Sequence, residues 1–219
     1  MIAGLPFFII GFGELWLSAN VPVYAAVPLA WAGFATSWVG VAYTVRKPAW
    51  LGKHHPAGIG ILPFSLFARG VAAVTQRLGL RERVEIIPGL WVGGWPRRGA
   101  PELAQLDLTA ELPRRGEALR YACVAMLDGA QADDSTYETA VETALAWRRE
   151  GIPVLIHCAY GHGRSVAVLI GVMVREGSAA DWKEAHAKVL SVRPGARMTP
   201  GQRVMVARLA RGPTGARGT

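Results

Sequence analysis

Cysteine is scarce in this chain, with two in 219 residues, Cys123 and Cys158. Two thiols cannot build a disulfide framework, and a thiol that stays reduced suits the cytosolic side of a membrane. Charge is missing from residues 1–45, which hold one acid, Glu14, and no base. An ordinary solvated domain surface is excluded for such a stretch. A long basic tract is missing too: the net charge of +8 includes the pairs Arg97-Arg98, Arg114-Arg115 and Arg148-Arg149. Paired bases argue against a nucleic-acid-binding tail. They leave an anionic phospholipid or a phosphorylated substrate as the expected partner, with no nucleic acid. His54 and His55 are adjacent and lack the i, i+4 spacing of a helical metal pair, so no metal site and no cofactor are expected. The sequence shows no internal repeat.

The uncharged stretch is apolar. Residues 2–18 form one run, "SANVP" breaks it, and residues 21–45 form a second. At about 1.5 Å per residue these reach about 25 Å and about 36 Å as helices, against a hydrocarbon core of roughly 30 Å. The first is marginal for a span and the second sufficient, so residues 1–50 predict a transmembrane helical hairpin. Trp16, Trp31 and Trp38 mixed with Gly and Pro suit membrane helices. Glu14 is tolerable only near the headgroups. Arg46, Lys47 and Lys53 follow the second run and place that end, and the domain beyond it, on the cytoplasmic side of the membrane. A cleavable signal peptide fits poorly, because a basic n-region is missing and the apolar stretch is too long. A buried soluble hairpin is the other alternative. Residues 51–82 form a linker in which Phe64, Phe67, Val71, Val74 and Leu78 recur at helical spacing, interrupted by Arg69 and Arg77. That spacing predicts an amphipathic helix, either lying on the membrane or packed on the next domain.

Residues 83–210 read as a globular domain and 211–219 as a flexible tail. "RVEIIPGLWVGG" predicts two short strands turning at Pro88-Gly89. Residues 103–112 predict a short helix, or a helix then a strand. Residues 121–127 predict a buried strand holding Cys123 as a core thiol. Ser135 with Glu138 has capping-box spacing and opens a helix that Gly151 stops. Residues 154–157 predict a strand, 164–176 a helix, and 181–191 and 200–209 two more helices. The alternation predicts an α/β fold with a small, mainly parallel sheet flanked by helices.

The stretch "HCAYGHGRS", residues 157–165, joins a strand to a helix. A thiol is a poor nucleophile until ionised, and a helix N-terminus with free N–H groups stabilises the anion. The loop Ala159, Tyr160, Gly161, His162 and Gly163 can turn its amides inward as an anion nest, with Gly161 and Gly163 free to take positive φ. The same nest would hold the oxygens of a phosphoryl group. Arg164 supplies a planar two-pronged donor for two of them. Ser165 can hydrogen-bond the thiolate and help it leave. This constellation fits phosphoryl transfer through a phosphocysteine, with Cys158 as nucleophile. A leaving alkoxide also needs a proton donor. Asp128 is the first candidate, on a strand expected beside the one ending at His157. Asp133 and Asp134 are competitors, one of which is expected to cap the following helix. His157 is expected to be a buried hydrogen-bonding scaffold for the loop. His162 faces either substrate or solvent.

The motif resembles the His-Cys-X5-Arg-Ser/Thr signature of the protein tyrosine phosphatase superfamily, and the short domain resembles its dual-specificity branch. "VEIIPGLWVGGWP" and "VRPGARMTPGQ" resemble segments of the lipid-directed group related to the mitochondrial phosphatidylglycerophosphate phosphatase. The resemblance covers residues 83–210 and implies the dual-specificity phosphatase fold. It implies that Cys158 is the nucleophile, Arg164 the phosphate ligand and Asp128 the general acid. Gly163 departs from it, since many dual-specificity enzymes carry Ser or Arg before the motif arginine. Two enzyme readings remain, a phosphatase for an anionic phospholipid headgroup and a membrane-tethered protein phosphatase. A catalytically dead scaffold and a rhodanese-like sulfur transferase fit less well. The oligomeric state stays open.

Overall fold

The structure is a computed structural model that describes residues 4–51, 60–77 and 82–212. Lys53, His54, His55 and Leu78 lie outside them, as do most of the tail and part of the linker. The chain divides into two compact units, Met1–Val74 with Ala110–Pro113, and Thr75–Thr109 with Arg114–Thr219.

In the first unit, α1 (Leu5–Ser18) and α2 (Val23–Thr44) pack antiparallel. Gly4 lies against Gly40 and Gly11 against Gly33, where an added Cβ would collide with the facing helix. Small residues at these positions allow the backbones to approach closely. Only α2, among the described residues, is long and apolar enough to cross a membrane; α1 is apolar but shorter. The outward faces are apolar too, with Ile9, Phe12, Trp16, Val23, Tyr24 and Val27 exposed. Past Arg46 and Lys47 a single 3₁₀ turn, Pro48–Leu51, folds back so that Trp50 stacks on Trp38 at 5.4 Å. The Trp31 indole N–H then donates to the Gly60 carbonyl at 3.0 Å. The linker helix is α3, Leu62–Arg77. Its Phe64 meets Phe7 of α1 edge-on, and it leaves Leu66, Phe67 and Val74 exposed.

The second unit carries a five-stranded sheet in the order β1-β2-β5-β3-β4. The strands are β1 Val84–Ile87, β2 Leu90–Gly93, β3 Ala100–Thr109, β4 Ala118–Met126 and β5 Val154–His157. β1 pairs antiparallel with β2; every other pairing is parallel. The mainly parallel α/β expectation therefore holds. Alternation along the strands sorts the side chains. Leu90, Val92, Leu106, Leu108, Val154 and Ile156 enter the main core, while Trp91, Leu103 and Leu155 form a small cluster. The main core is shared with α4 (Asp134–Arg149), α5 (Arg164–Arg175), α6 (Trp182–Val192) and α7 (Pro200–Leu209). Arg175 fastens three of these helices: it pairs with Glu138 and Glu142 of α4 and donates to the Leu209 carbonyl at 2.7 Å.

Four expectations are corrected. Residues 103–112 are not helical; they fall mostly in β3, whose polar Gln105 and Asp107 are as buried as its leucines. β4 does not lie beside β5, because β3 runs between them. As an edge strand β4 is half exposed, and Cys123 is an exposed thiol rather than a core one. α4 is not capped by Ser135 in a box with Glu138; its cap is Asp133, one of the two acids expected there, which accepts the Thr136 N–H at 2.8 Å and a hydrogen bond from the Ser135 hydroxyl.

Candidate active site

The four parallel strands end on one edge, and the edges of such sheets are where α/β proteins place ligands. β5, buried along its whole length, delivers Cys158 there with 2% of its surface exposed. The Cys158 N–H donates to the Gly93 carbonyl at 3.4 Å, so the end of β2 holds the start of the loop. Sγ accepts the Gly161 N–H at 3.2 Å and lies 3.4 Å from Ser165 Oγ. Gly161 has φ 73°, and its α-carbon lies against the backbone of Gly93 and Gly94, where a side chain would collide. Gly163 does not share that role: its φ is −114°.

Four consecutive loop carbonyls are held from outside. Ala159 O accepts the Trp95 N–H at 3.2 Å, and His162 O accepts the Arg197 N–H at 2.9 Å. Arg193 takes the two between them, donating to Tyr160 O at 3.3 Å and Gly161 O at 2.9 Å. In a trans peptide the carbonyl and the next N–H point opposite ways. Fixing these carbonyls outward therefore turns the following amides toward the sulfur, as an anion nest requires. Arg193 was missed in the sequence reading, although it sits in "VRPGARM"; a lone arginine beyond a helix gives no sign of which carbonyls it reaches. Burial pulls its proton affinity below the usual guanidinium range, with the neighbouring Cys158 acting the other way.

Arg164 opens α5 with 1% of its surface exposed. Its Nη1 donates to Met126 O at 2.7 Å and Leu108 O at 3.3 Å, and its Nη2 lies 3.2 Å from Asp128 Oδ1. The side chain thus crosses the end of β3 to reach β4. That reach brings Asp128 to the site although its strand is not adjacent to β5. Asp133 and Asp134 do not join it, since Asp133 caps α4 and Asp134 is paired with Arg208. Hydrogen bonds from the Ser135 hydroxyl and the Thr136 N–H hold the Asp133 carboxyl below the usual range.

His157 is buried, and among the described residues neither ring nitrogen has a hydrogen-bond partner, unlike the hydrogen-bonding scaffold expected. Burial lowers its proton affinity, and Arg164 adds to this while Asp107 opposes it. Asp107 faces His157 across β3 and β5 with 3.8 Å between Oδ1 and Nδ1, and it accepts the Tyr121 hydroxyl at 2.9 Å. Tyr160 and His162 are half-buried at the loop. Gln202, also missed, caps α7 in a box with Thr199, lies beside Gly163 and reaches the Ala130 carbonyl at 3.4 Å. The described residues include no group of acids, histidines and cysteines that could hold a metal ion.

No family model and no curated protein sequence matches the chain. Solved structures do match. Human DUSP28 aligns at TM-score 0.51 and 22% identity, covering 56% of this chain and 92% of its own. The human tyrosine phosphatase-like serine/threonine/tyrosine-interacting protein aligns at TM-score 0.50 and 19% identity, covering 57% and 93%. The fold is that of the dual-specificity phosphatases. PTPMT1 in complex with PI(5)P stands further off, at TM-score 0.47 and 13% identity over 59% and 94%. The fold and the cysteine cup are together consistent with a phosphoric monoester hydrolase.

Proposed function

We propose that the chain is a membrane-anchored phosphatase that hydrolyses a phosphate monoester on an anionic phospholipid headgroup, either phosphatidylglycerophosphate or a phosphoinositide. One observation carries the chemistry: a buried sulfur that accepts an amide N–H and neighbours a hydroxyl, in a loop whose carbonyls are fastened outward. Cys158 Sγ attacks phosphorus, the sulfur–phosphorus bond forms, and the bond to the leaving oxygen breaks. The loop amides from Ala159 to Gly163 and the Arg164 guanidinium take the charge on the three remaining oxygens. Asp128 gives its proton to the leaving alkoxide. Water then attacks the phosphocysteine, Asp128 takes the proton from that water, and the thiolate departs with the Ser165 hydroxyl as its hydrogen-bond donor. No cofactor enters either step.

The membrane reading is supported by the apolar outward faces of α1 and α2 and by Arg46 and Lys47 at the end of α2, which favour a cytoplasmic catalytic unit. The exposed Leu66, Phe67 and Val74 of α3 suit the headgroup boundary. An anchored crevice meets its substrate within the bilayer surface, which favours a lipid.

The test incubates detergent-purified full-length protein with radiolabelled phosphatidylglycerophosphate and quenches in acid. Wild type should carry label on Cys158, and Cys158→Ser should neither carry label nor release phosphate. Phosphate release that survives in Cys158→Ser refutes the phosphocysteine. A phosphotyrosine peptide turned over orders of magnitude faster than the lipid refutes the lipid assignment and leaves a tethered protein phosphatase.

A further inference from the structure

Beside the phosphate loop lies a cleft of about 570 Å³ that the chemistry above does not use. Its lining includes Glu82, Arg83, Gly94, Arg97, Arg98 and Leu155. Cys158 does not line it, but the cleft and the catalytic cup share a wall, because Gly94 is part of the backbone on which Gly161 rests. Its volume is within the range of small-molecule sites, roughly 300–1,000 Å³, and well beyond the needs of one inorganic phosphate.

The charge around it is assembled from separate parts of the chain. Ala100 N–H donates to Glu117 O at 2.8 Å, and Gly99 and Gly116 pack so closely that a side chain on either would strike the other's backbone. This contact draws Arg97-Arg98 and Arg114-Arg115 onto neighbouring turns. Arg115 lies 4.3 Å over the ring of Trp95, whose N–H holds the Ala159 carbonyl of the phosphate loop. Arg114 lies 4.6 Å over Tyr121. These two guanidinium groups are held beside the cleft by aromatic rings without lining it, and they add positive charge to its surroundings. The charged residues of the lining are Arg83, Arg97, Arg98 and one acid, Glu82, and Arg83 is paired with Glu102.

We propose that this cleft binds a second phosphate anion, a phosphodiester, beside the monoester that is cleaved; the monoester half of the statement rests on the phosphatase reading. Leu155 and Pro96 supply apolar wall for the glycerol carbons, and the arginines supply paired donors for the diester oxygens. The diester comes either from the substrate itself or from a neighbouring anionic lipid.

The experiment compares full-length wild type with the double variant Arg97→Gln/Arg98→Gln in nonionic detergent. Para-nitrophenyl phosphate has no second anion, and phosphatidylglycerophosphate carries a diester next to its monoester. If the substrate's own diester is bound, KM for the lipid should rise about tenfold in the variant with kcat nearly unchanged, while para-nitrophenyl phosphate is unaffected. If a neighbouring lipid is bound, adding phosphatidylglycerol to the micelles should stimulate para-nitrophenyl phosphate turnover in wild type and not in the variant. Arg97→Lys/Arg98→Lys should restore only part of either effect, since charge remains but the paired donors are lost. Equal losses on both substrates, or no change in either arm, overturns the proposal. Titration of Cys158→Ser with soluble glycerophosphoglycerol, followed by phosphorus NMR line width, needs no turnover. Binding that is lost with Arg97→Gln/Arg98→Gln supports the cleft even if no monoester is hydrolysed, and absent binding in Cys158→Ser refutes it.

Discussion

Arg164 does two jobs from one buried position. Its guanidinium ties off β3 and β4 by donating to Leu108 O and Met126 O, and it meets Asp128 with its other nitrogen. Asp128, half exposed and 3.2 Å from that guanidinium, is the remaining acid at the mouth once Asp133 and Asp134 are committed elsewhere. Asp128→Asn should lower turnover of an alkyl phosphate roughly 10²–10⁴-fold, and that of para-nitrophenyl phosphate far less, because nitrophenolate leaves without a proton. Rate measurements on the two substrates decide it; equal losses would remove Asp128 from the role of acid. At this scale the sequence was most legible where chemistry is local. Nine consecutive residues contain the proposed nucleophile, the loop around it and the arginine. Arg193 and Gln202 were not legible, because each acts on the loop from more than 30 residues further along the chain.

Elements were legible where pattern and burial agree. β1, β2, β5 and α5 were read correctly because apolar runs and turn residues bound them. β3 was misread because a strand buried on both faces loses the two-residue alternation of a half-exposed one. Its Gln105 and Asp107 break the apolar run, and Asp107 is buried only because Tyr121 and Thr109 satisfy its carboxylate. Missing β3 also misplaced β4 next to β5. The start of α4 was legible only as a choice, since Asp133 and Ser135 both suit a cap and only the backbone decides for Asp133. Asp133→Ala should cost about 1 kcal/mol of stability in a thermal melt and leave the difference between alkyl and nitrophenyl substrates untouched. A changed leaving-group dependence in Asp133→Ala would return that carboxylate to the list of acids.

For the whole molecule, the first unit is a matter of solvent. Its exposed Ile9, Phe12, Trp16 and Val27 would be unstable against water and at rest against hydrocarbon. Alkaline carbonate washing of membranes should leave the full-length protein in the pellet; release into the supernatant would exclude the anchor. The two-run pattern was plain in the sequence because missing charge over so many residues has few other physical meanings. How α3 packs was not plain, since Phe64 and Phe67 look alike on a helical wheel, and only the contact with Phe7 separates inside from outside. The double attachment of Arg164 has an evolutionary corollary. On the proposed reading, loss of the sulfur leaves a domain that still folds and still grips phosphate, whereas loss of the guanidinium unfastens two strand ends. Drift toward a silent phosphate-reading receptor thus has one open road, and quiescent cousins are to be sought among chains that keep the arginine and have dropped the thiol.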